Sequence, residues 1–414
     1  MRAIRNAGVV ALIAAACGGQ ERGGAAPVTR DSAGVTIVEN TGLQWPAGND
    51  WRVADSAEVD ISGDLDSVIG PVALSGRRLA IGAAGSQQIR IYDFTGTLLH
   101  SVGRSGAGPG EFQMMAGIWA GPGDSILVLD LLVRRLSVID SAGVFQRTFS
   151  MGSAPGAGFV GFGGRVELAF PQGWMADGTV AGVTMSFAIN QDRKGVFRDT
   201  VSAVRYASDG SARDTIARFP GVEMEQMTIT IGPQTMSTPQ PVPLGKSSVT
   251  AAWGDRFYLA RNNSWEVEVR GLDGKVLRLI RVSTAPVPLT PELVATHRKE
   301  LIEQMEGIPM LKSMPAIKSQ MVTRIEQASY PATLPFITGL QVDPEGNIWV
   351  QEAQPPGIEA GVFAVLDSTG ALLGRVTMPD RFRATTITAD AVYGVWRDED
   401  DLPHVRVYPL RKRP

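Results

Sequence analysis

Five times along the chain a short apolar run stops at a small Asp/Gly turn and a second apolar run leaves it. The copies centre on Asp93–Gly96, Asp140–Gly143, Asp209–Gly210, Asp273–Gly274 and Asp367–Gly370. One hairpin of this kind cannot bury its apolar face alone, so its recurrence points to a radial or stacked repeat. Abundant turn formers, 47 Gly and 26 Pro in 414 residues, suit such a chain and argue against long helices. The repeat constrains architecture far more than chemistry.

Parsing each unit as four strands gives a consistent scheme. The second unit is the cleanest: Gly117–Ala120 turns into Ser125–Asp130, and Arg135–Asp140 turns into Val144–Phe149. The first unit covers Val72–Val102, and later ones cover Phe170–Phe219, Ser248–Ser283 and Phe336–Met378. The last, Thr385–Leu410, carries only three clear strands. A radial array needs its edges covered. The N-terminal strand Val35–Glu39 is expected to supply the missing outer strand. The predicted fold is therefore all-β: a six-bladed propeller of four-stranded antiparallel blades over residues 34–410, with the last blade closed by an N-terminal strand. Thr290-Pro291-Glu292 reads as a helix cap, a first-turn proline and a first-turn acid. Helical spacing over Leu293–Met305 and Ile317–Ile325 makes 284–335 a helical insertion between blades four and five.

The N-terminus is of another kind. A basic start, Met1–Arg5, precedes an apolar run over Ala7–Ala16, and Cys17, the sole cysteine, follows three alanines. The run is too short to span a bilayer and matches a signal-peptide core. The arrangement resembles a bacterial lipoprotein signal, in which the cysteine is lipidated and becomes the mature N-terminus. Residues 1–17 are thus expected to be signal and lipidated cysteine, 18–33 a flexible tether and 411–414 a basic tail. A plain secretory signal cut after Ala14-Ala15-Ala16 is the other reading. Both take the protein out of the cytoplasm. Gly18 resembles the outer-membrane class of such lipoproteins, so the expected address is the cell envelope, facing the periplasm or the cell surface.

The stretch Gly103–Phe112, followed by Ile126–Asp130 and Leu136–Asp140, looks like an NHL-type propeller repeat, and Asn347–Val350 after Asp343–Gly346 repeats part of it. More narrowly, the chain is similar to bacterial six-bladed propeller lipoproteins of the NHL-like group. That resemblance implies the same six-bladed ring and no fixed activity. Its relatives include metal-dependent lactonases and lyases.

With four antiparallel strands per blade, first-to-second and third-to-fourth turns share one face of the disc. Second-to-third and blade-to-blade connections share the other. The long segments Ser186–Asp199, Gly221–Lys246, Thr284–Pro335 and Gln354–Glu359 all fall in the second class. Loops held by a rigid scaffold carry recognition, so that face is the expected functional surface. Candidate ligand-binding residues at its channel mouth are Arg104, Asp130, Arg134, Asn262, Asn263, Glu352 and Arg397.

Balanced charge, 39 basic against 42 acidic residues, excludes an electrostatic footprint for nucleic acid. The three histidines are scattered, which argues against a three-His metal site. Asp130, Asn262, Asn263 and Glu352 form the one oxygen-rich set that could hold calcium. No nucleophile elbow or triad spacing stands out. The reading is a monomeric, membrane-anchored binding module for a peptide, glycan or partner protein, without catalysis or cofactor. The alternative is a metal-dependent hydrolase or lyase, lactonase-like, with its site in the central channel.

Overall fold

The computed structural model describes residues 26–46, 48–63, 65, 67–151, 165–188, 193–231, 234–308, 311 and 314–413. Their strands form six sheets around a ring. Blade one runs over Val68–Val102, blade two over Met115–Phe149, blade three over Arg165–Pro241, blade four over Val249–Val282 and blade five over Ile337–Thr377. Blade six starts at Phe382 and ends with the strand Pro403–Arg413.

The core is six apolar clusters, one between each pair of neighbouring blades, among the described residues. The strand Ile126–Asp130 shows why the sequence does this. Its side chains alternate between two faces: Ile126 and Val128 pack toward blade one, and Leu127 and Leu129 toward blade three. A strand buried on both faces must read as an unbroken apolar run, and all five of its residues are buried. Blade six meets blade one through Tyr393, Val405 and Val407 against Leu79 and Ile81, which closes the ring.

The recurring Asp/Gly turn does one job in all five copies. Each glycine has a positive φ, from 76° at Gly274 to 94° at Gly370, which completes a three-residue hairpin loop without a Cβ penalty. Where Asp and Gly are three apart, the carboxylate caps two backbone N–H groups: Asp93 accepts from Thr95 at 2.9 Å and Thr97 at 3.0 Å. Where they are adjacent, the Asp sits later in the turn and caps one, as Asp209 does for Ser211 at 2.9 Å. Hydrogen bonds to the ionised form hold the Asp93, Asp209 and Asp273 carboxyls below their ordinary range, led in each case by the nearby side chain of Thr95, Ser211 or Lys275.

Three expectations need correction. Closure of blade six does come from the N-terminal region, but not from Val35–Glu39. Val59–Ile61 pairs with Val405–Val407, and Asp50–Val53 pairs with Leu410–Arg413. Val35–Asn40 instead adds in parallel to the outer strand of blade four, Val276–Val282. The reason is charge as well as apolarity: Asp60 in the short closing strand accepts from Arg406 at 2.8 Å and lies 2.8 Å from His404. Second, part of the expected tether is ordered. Val28–Ser32 pairs with Val35–Glu39 across Ala33-Gly34, both at positive φ, the conformation a tight two-residue hairpin requires. Third, Arg411–Arg413 is not a tail but the end of the last strand. Lys412 stacks 4.7 Å over the Trp51 ring and pairs with Glu345.

The helical insertion leaves blade four and returns to blade five, as predicted. Helix α1 spans Pro291–Glu306, with the Thr290 hydroxyl capping Leu293 N–H, and α2 spans Pro315–Gln327. None of the helices among the described residues is long and apolar enough to cross a membrane.

Candidate functional site

The blade-to-blade and second-to-third connections share a face, and the long hairpin of blade three and the helical insertion lie there. Blade three has a fifth strand: Ala212–Ile231 and Gln234–Pro241 form a long hairpin where a loop over Gly221–Lys246 was expected. The insertion bridges this hairpin to blade five. Arg324 donates to Gln240 at 3.0 Å on one side, and Glu300 accepts from Gly357 N–H at 2.7 Å on the other. His297 lies 3.0 Å from the Tyr330 hydroxyl, and burial lowers its pKa.

The predicted rim residues divide by what they already hold. Asp130 is fully buried and accepts from the N–H groups of Gln113, Met114, Leu132 and Val133 at 2.7–3.4 Å. Asn262 is buried and accepts from Ile337 N–H at 2.7 Å while donating to the carbonyls of Ser247 and Ile337. It staples blade four to blade five. Glu352 is buried and accepts from Arg375 at 2.6 and 3.1 Å. Arg104 pairs with Glu111, whose carboxylate also takes Gly108 N–H at 2.8 Å, so the glycine-rich loop folds around its own acid. That N–H, then Arg104, holds the Glu111 carboxyl below its ordinary range. Arg134 and Asn263 have no hydrogen-bond partner among the described residues.

These residues do not converge. Asp130 belongs to blade two, Asn262 and Asn263 to the strand connection of blade four, and Glu352 to blade five. Among the described residues no three His, Cys, Asp or Glu side chains are grouped to hold a metal ion. Asp130 and Glu352 therefore belong to no such group. Cys17 lies outside the described residues.

Two clefts of about 360 Å³ open at the elaborated ends of the blades. The first spans blades three, four and five. Its walls are apolar side chains such as Phe170, Met185 and Phe219, with hydroxyls of Ser248, Thr250 and Thr338. Thr250 donates to Gln172 at 2.6 Å across the inner strands. Behind its wall Arg198 caps the carbonyls of Gly221 and Pro220, at 2.8 and 3.3 Å, and burial lowers its pKa.

The second cleft spans blades five, six and one. It contains Arg397 from the predicted set, and adds Gln351, Glu359, Arg381 and Arg383. The missed signal was Arg381-Phe382-Arg383, two cations flanking an aromatic at the start of an inner strand, where the parity rule places residues on the rim.

No protein-family model matches the chain, and no curated protein does. Among solved structures the chain is similar to a member of the DUF4221 family from Bacteroides vulgatus, at 11% identity and a TM-score of 0.45, over 88% of this chain and 98% of that one. It is also similar to a protein from Bacteroides fragilis named as exported, at 10% identity and TM-score 0.42, over 88% and 95%. A third is virginiamycin B lyase from Staphylococcus aureus, at 10% identity and TM-score 0.35, over 87% and 94%. At these values the likeness assigns no activity.

Proposed function

We propose that the protein is a lipid-anchored binding module of the cell envelope that holds a peptide, glycan or partner protein on the elaborated face of its ring, without catalysis. The observation that carries this reading is the one-sided growth of the chain. The long hairpin, the helical insertion and both described clefts open on a single face, while the strand-to-strand turns within the blades on the other face are tight. Recognition by loops on a rigid scaffold is the ordinary use of such geometry. Asp130 and Asn262 support a structural role for themselves, since their polar atoms are engaged by backbone, whereas Glu352 holds Arg375 through Oε2 and keeps Oε1 buried without a partner among the described residues. Anchoring rests on the sequence around Cys17.

The test is a comparison of faces. Purified full-chain protein would be probed against envelope peptide and glycan arrays, with bulky substitutions placed either at the tight turns or at the rim. Binding should survive the first set and fall with the second. Binding that is lost with the turn variants instead contradicts the reading. Stoichiometric calcium or zinc that supports turnover of a lactone would replace it with the hydrolase or lyase reading. For the anchor, Cys17→Ser should move the protein from the membrane fraction to the soluble one. An unchanged distribution would remove the lipid from the account.

A further inference from the structure

The cleft between blades five, six and one differs from the rest of the rim in holding cations that the fold has not consumed. Three guanidiniums, Arg381, Arg383 and Arg397, face one carboxylate, Glu359, in its lining. Arg397 bonds the backbone carbonyl of Asp401 at 2.7 Å and its carboxylate at 3.1 Å. Arg381 lies 4.0 Å from Glu359. The Arg383 side chain is exposed and has no hydrogen bond or ion pair among the described residues. An unpaired guanidinium between one held by Asp401 and one only loosely paired with Glu359, at the start of an inner strand, is a ready partner for a planar anion. Its fork of N–H donors matches a carboxylate in two parallel bonds.

The backbone holds this arrangement at a cost. Arg381 sits at φ +60°, a left-handed conformation that disfavours a side chain by roughly 1 kcal/mol. Its carbonyl accepts from Arg397 N–H at 3.2 Å, and the Phe382 N–H returns to Pro379 at 3.2 Å, so the two arginines are tied together through the chain. Below them the floor is apolar: Phe382 and Val395 are buried, and the Phe382 ring meets Tyr408 edge-on at 4.9 Å. A cleft of about 360 Å³ lies at the low end of small-molecule sites.

The neighbouring loop decides between a small anion and a large one. Asp398, Glu399, Asp400 and Asp401 follow Arg397 directly. Asp398 caps the N–H groups of Asp400 and Leu402 at 3.0 and 2.8 Å, Asp401 pairs with Arg397, and Glu399 and Asp400 are exposed. A polyanion crossing this rim would run over those carboxylates. A compact anion seated at Arg383 would not, because contact hydrogen bonds act at short range while exposed charges are screened over about 8 Å at physiological salt.

We propose that Arg383, flanked by Arg381 and Arg397, anchors the carboxylate of a small organic acid whose apolar body rests on Phe382 and Val395. This deepens the binding-module reading and rests on it. The experiment is calorimetric titration of the full-chain protein with acetate, hexanoate, benzoate, phenylacetate, inorganic phosphate and heparin at physiological salt. At least one of the carboxylates should bind saturably, and heparin should not. Arg383→Ala should weaken that binding by about 10–100-fold, the worth of one charge-assisted pair. Arg383→Lys should restore it only in part, because an ammonium lacks the fork, and both variants should melt with the wild type. Failure of every carboxylate at millimolar concentration overturns the proposal, as does binding that Arg383→Ala leaves unchanged. Saturable binding of phosphate alone, or tight binding of heparin, overturns it too. If array ligands still bind the rim while no carboxylate does, this inference falls and the binding-module reading stands. If rim substitutions leave array binding intact, the broader reading falls.

Discussion

The two faces of the ring use the same residue types for opposite ends. On the plain face, aspartates and glycines recur in register and spend themselves on the turns: Asp93, Asp140, Asp209, Asp273 and Asp367 each cap backbone N–H groups of their own hairpin. On the elaborated face the polar side chains among the described residues differ from blade to blade. Buried Asp130 and Asn262 are staples there, and Arg383 is left exposed and unpaired among the described residues. The difference teaches that a repeated motif marks the scaffold, and that binding chemistry is found where the repeat is broken.

The largest effect should come from a staple. Asp130→Ala removes a fully buried carboxylate that four part-buried backbone N–H groups share, so urea unfolding should register a loss of about 3–5 kcal/mol. A loss below about 1 kcal/mol would mean that this carboxylate is free for other work. Next comes the plain face. A Cβ at Gly210 would lie 2.1 Å from the Ser150 carbonyl oxygen, whereas one at Gly254 meets nothing within 4 Å. Gly210→Ala should therefore cost about 2–4 kcal/mol, from overpacking added to left-handed strain, against about 1 kcal/mol for Gly254→Ala. Equal losses in the two variants would break the view that these turns wedge against the neighbouring blade.

Much of this is legible in the sequence. The blades follow from apolar runs and Asp/Gly turns because both signals are local, and the parity of antiparallel strands carries them to a statement about faces. The cap at Thr290 and the helix after it were readable for the same reason. The closing strand was not. Val35–Asn40 is the better strand by apolarity, but Val59–Ile61 fits because Asp60 finds Arg406 and His404 more than three hundred residues away. The rim was half legible: position placed Arg397 in a rim cleft, yet nothing in the local sequence separates Asp130, which is spent on backbone, from Arg383, which is not.

Acid should sharpen the comparison further. The Asp93, Asp209 and Asp273 carboxyls are depressed from 3.8 in the folded chain, so the stability they add is present above that value and is lost as pH falls through their lower folded ones. The combined Asn variants should show a shallower loss of stability on acidification than the wild type in pH-dependent unfolding. Parallel curves would assign the acid sensitivity elsewhere. The smallest effect on stability belongs to the rim cations: Arg383→Ala should change unfolding by no more than about 0.5 kcal/mol, as an exposed side chain without partners. A larger change would show that Arg383 holds the fold rather than a ligand.

The central claim, that recognition belongs to the elaborated face, is met most directly by hydrogen exchange of the full-chain protein with and without a ligand found by the arrays. Slowed exchange should appear in the connections 353–361, 378–383 and 398–402 or around the hydroxyl-lined cleft at 247–250 and 338–340, and the turns 94–97, 140–144, 207–211, 272–275 and 367–371 should be unaffected. Protection confined to those turns would contradict it.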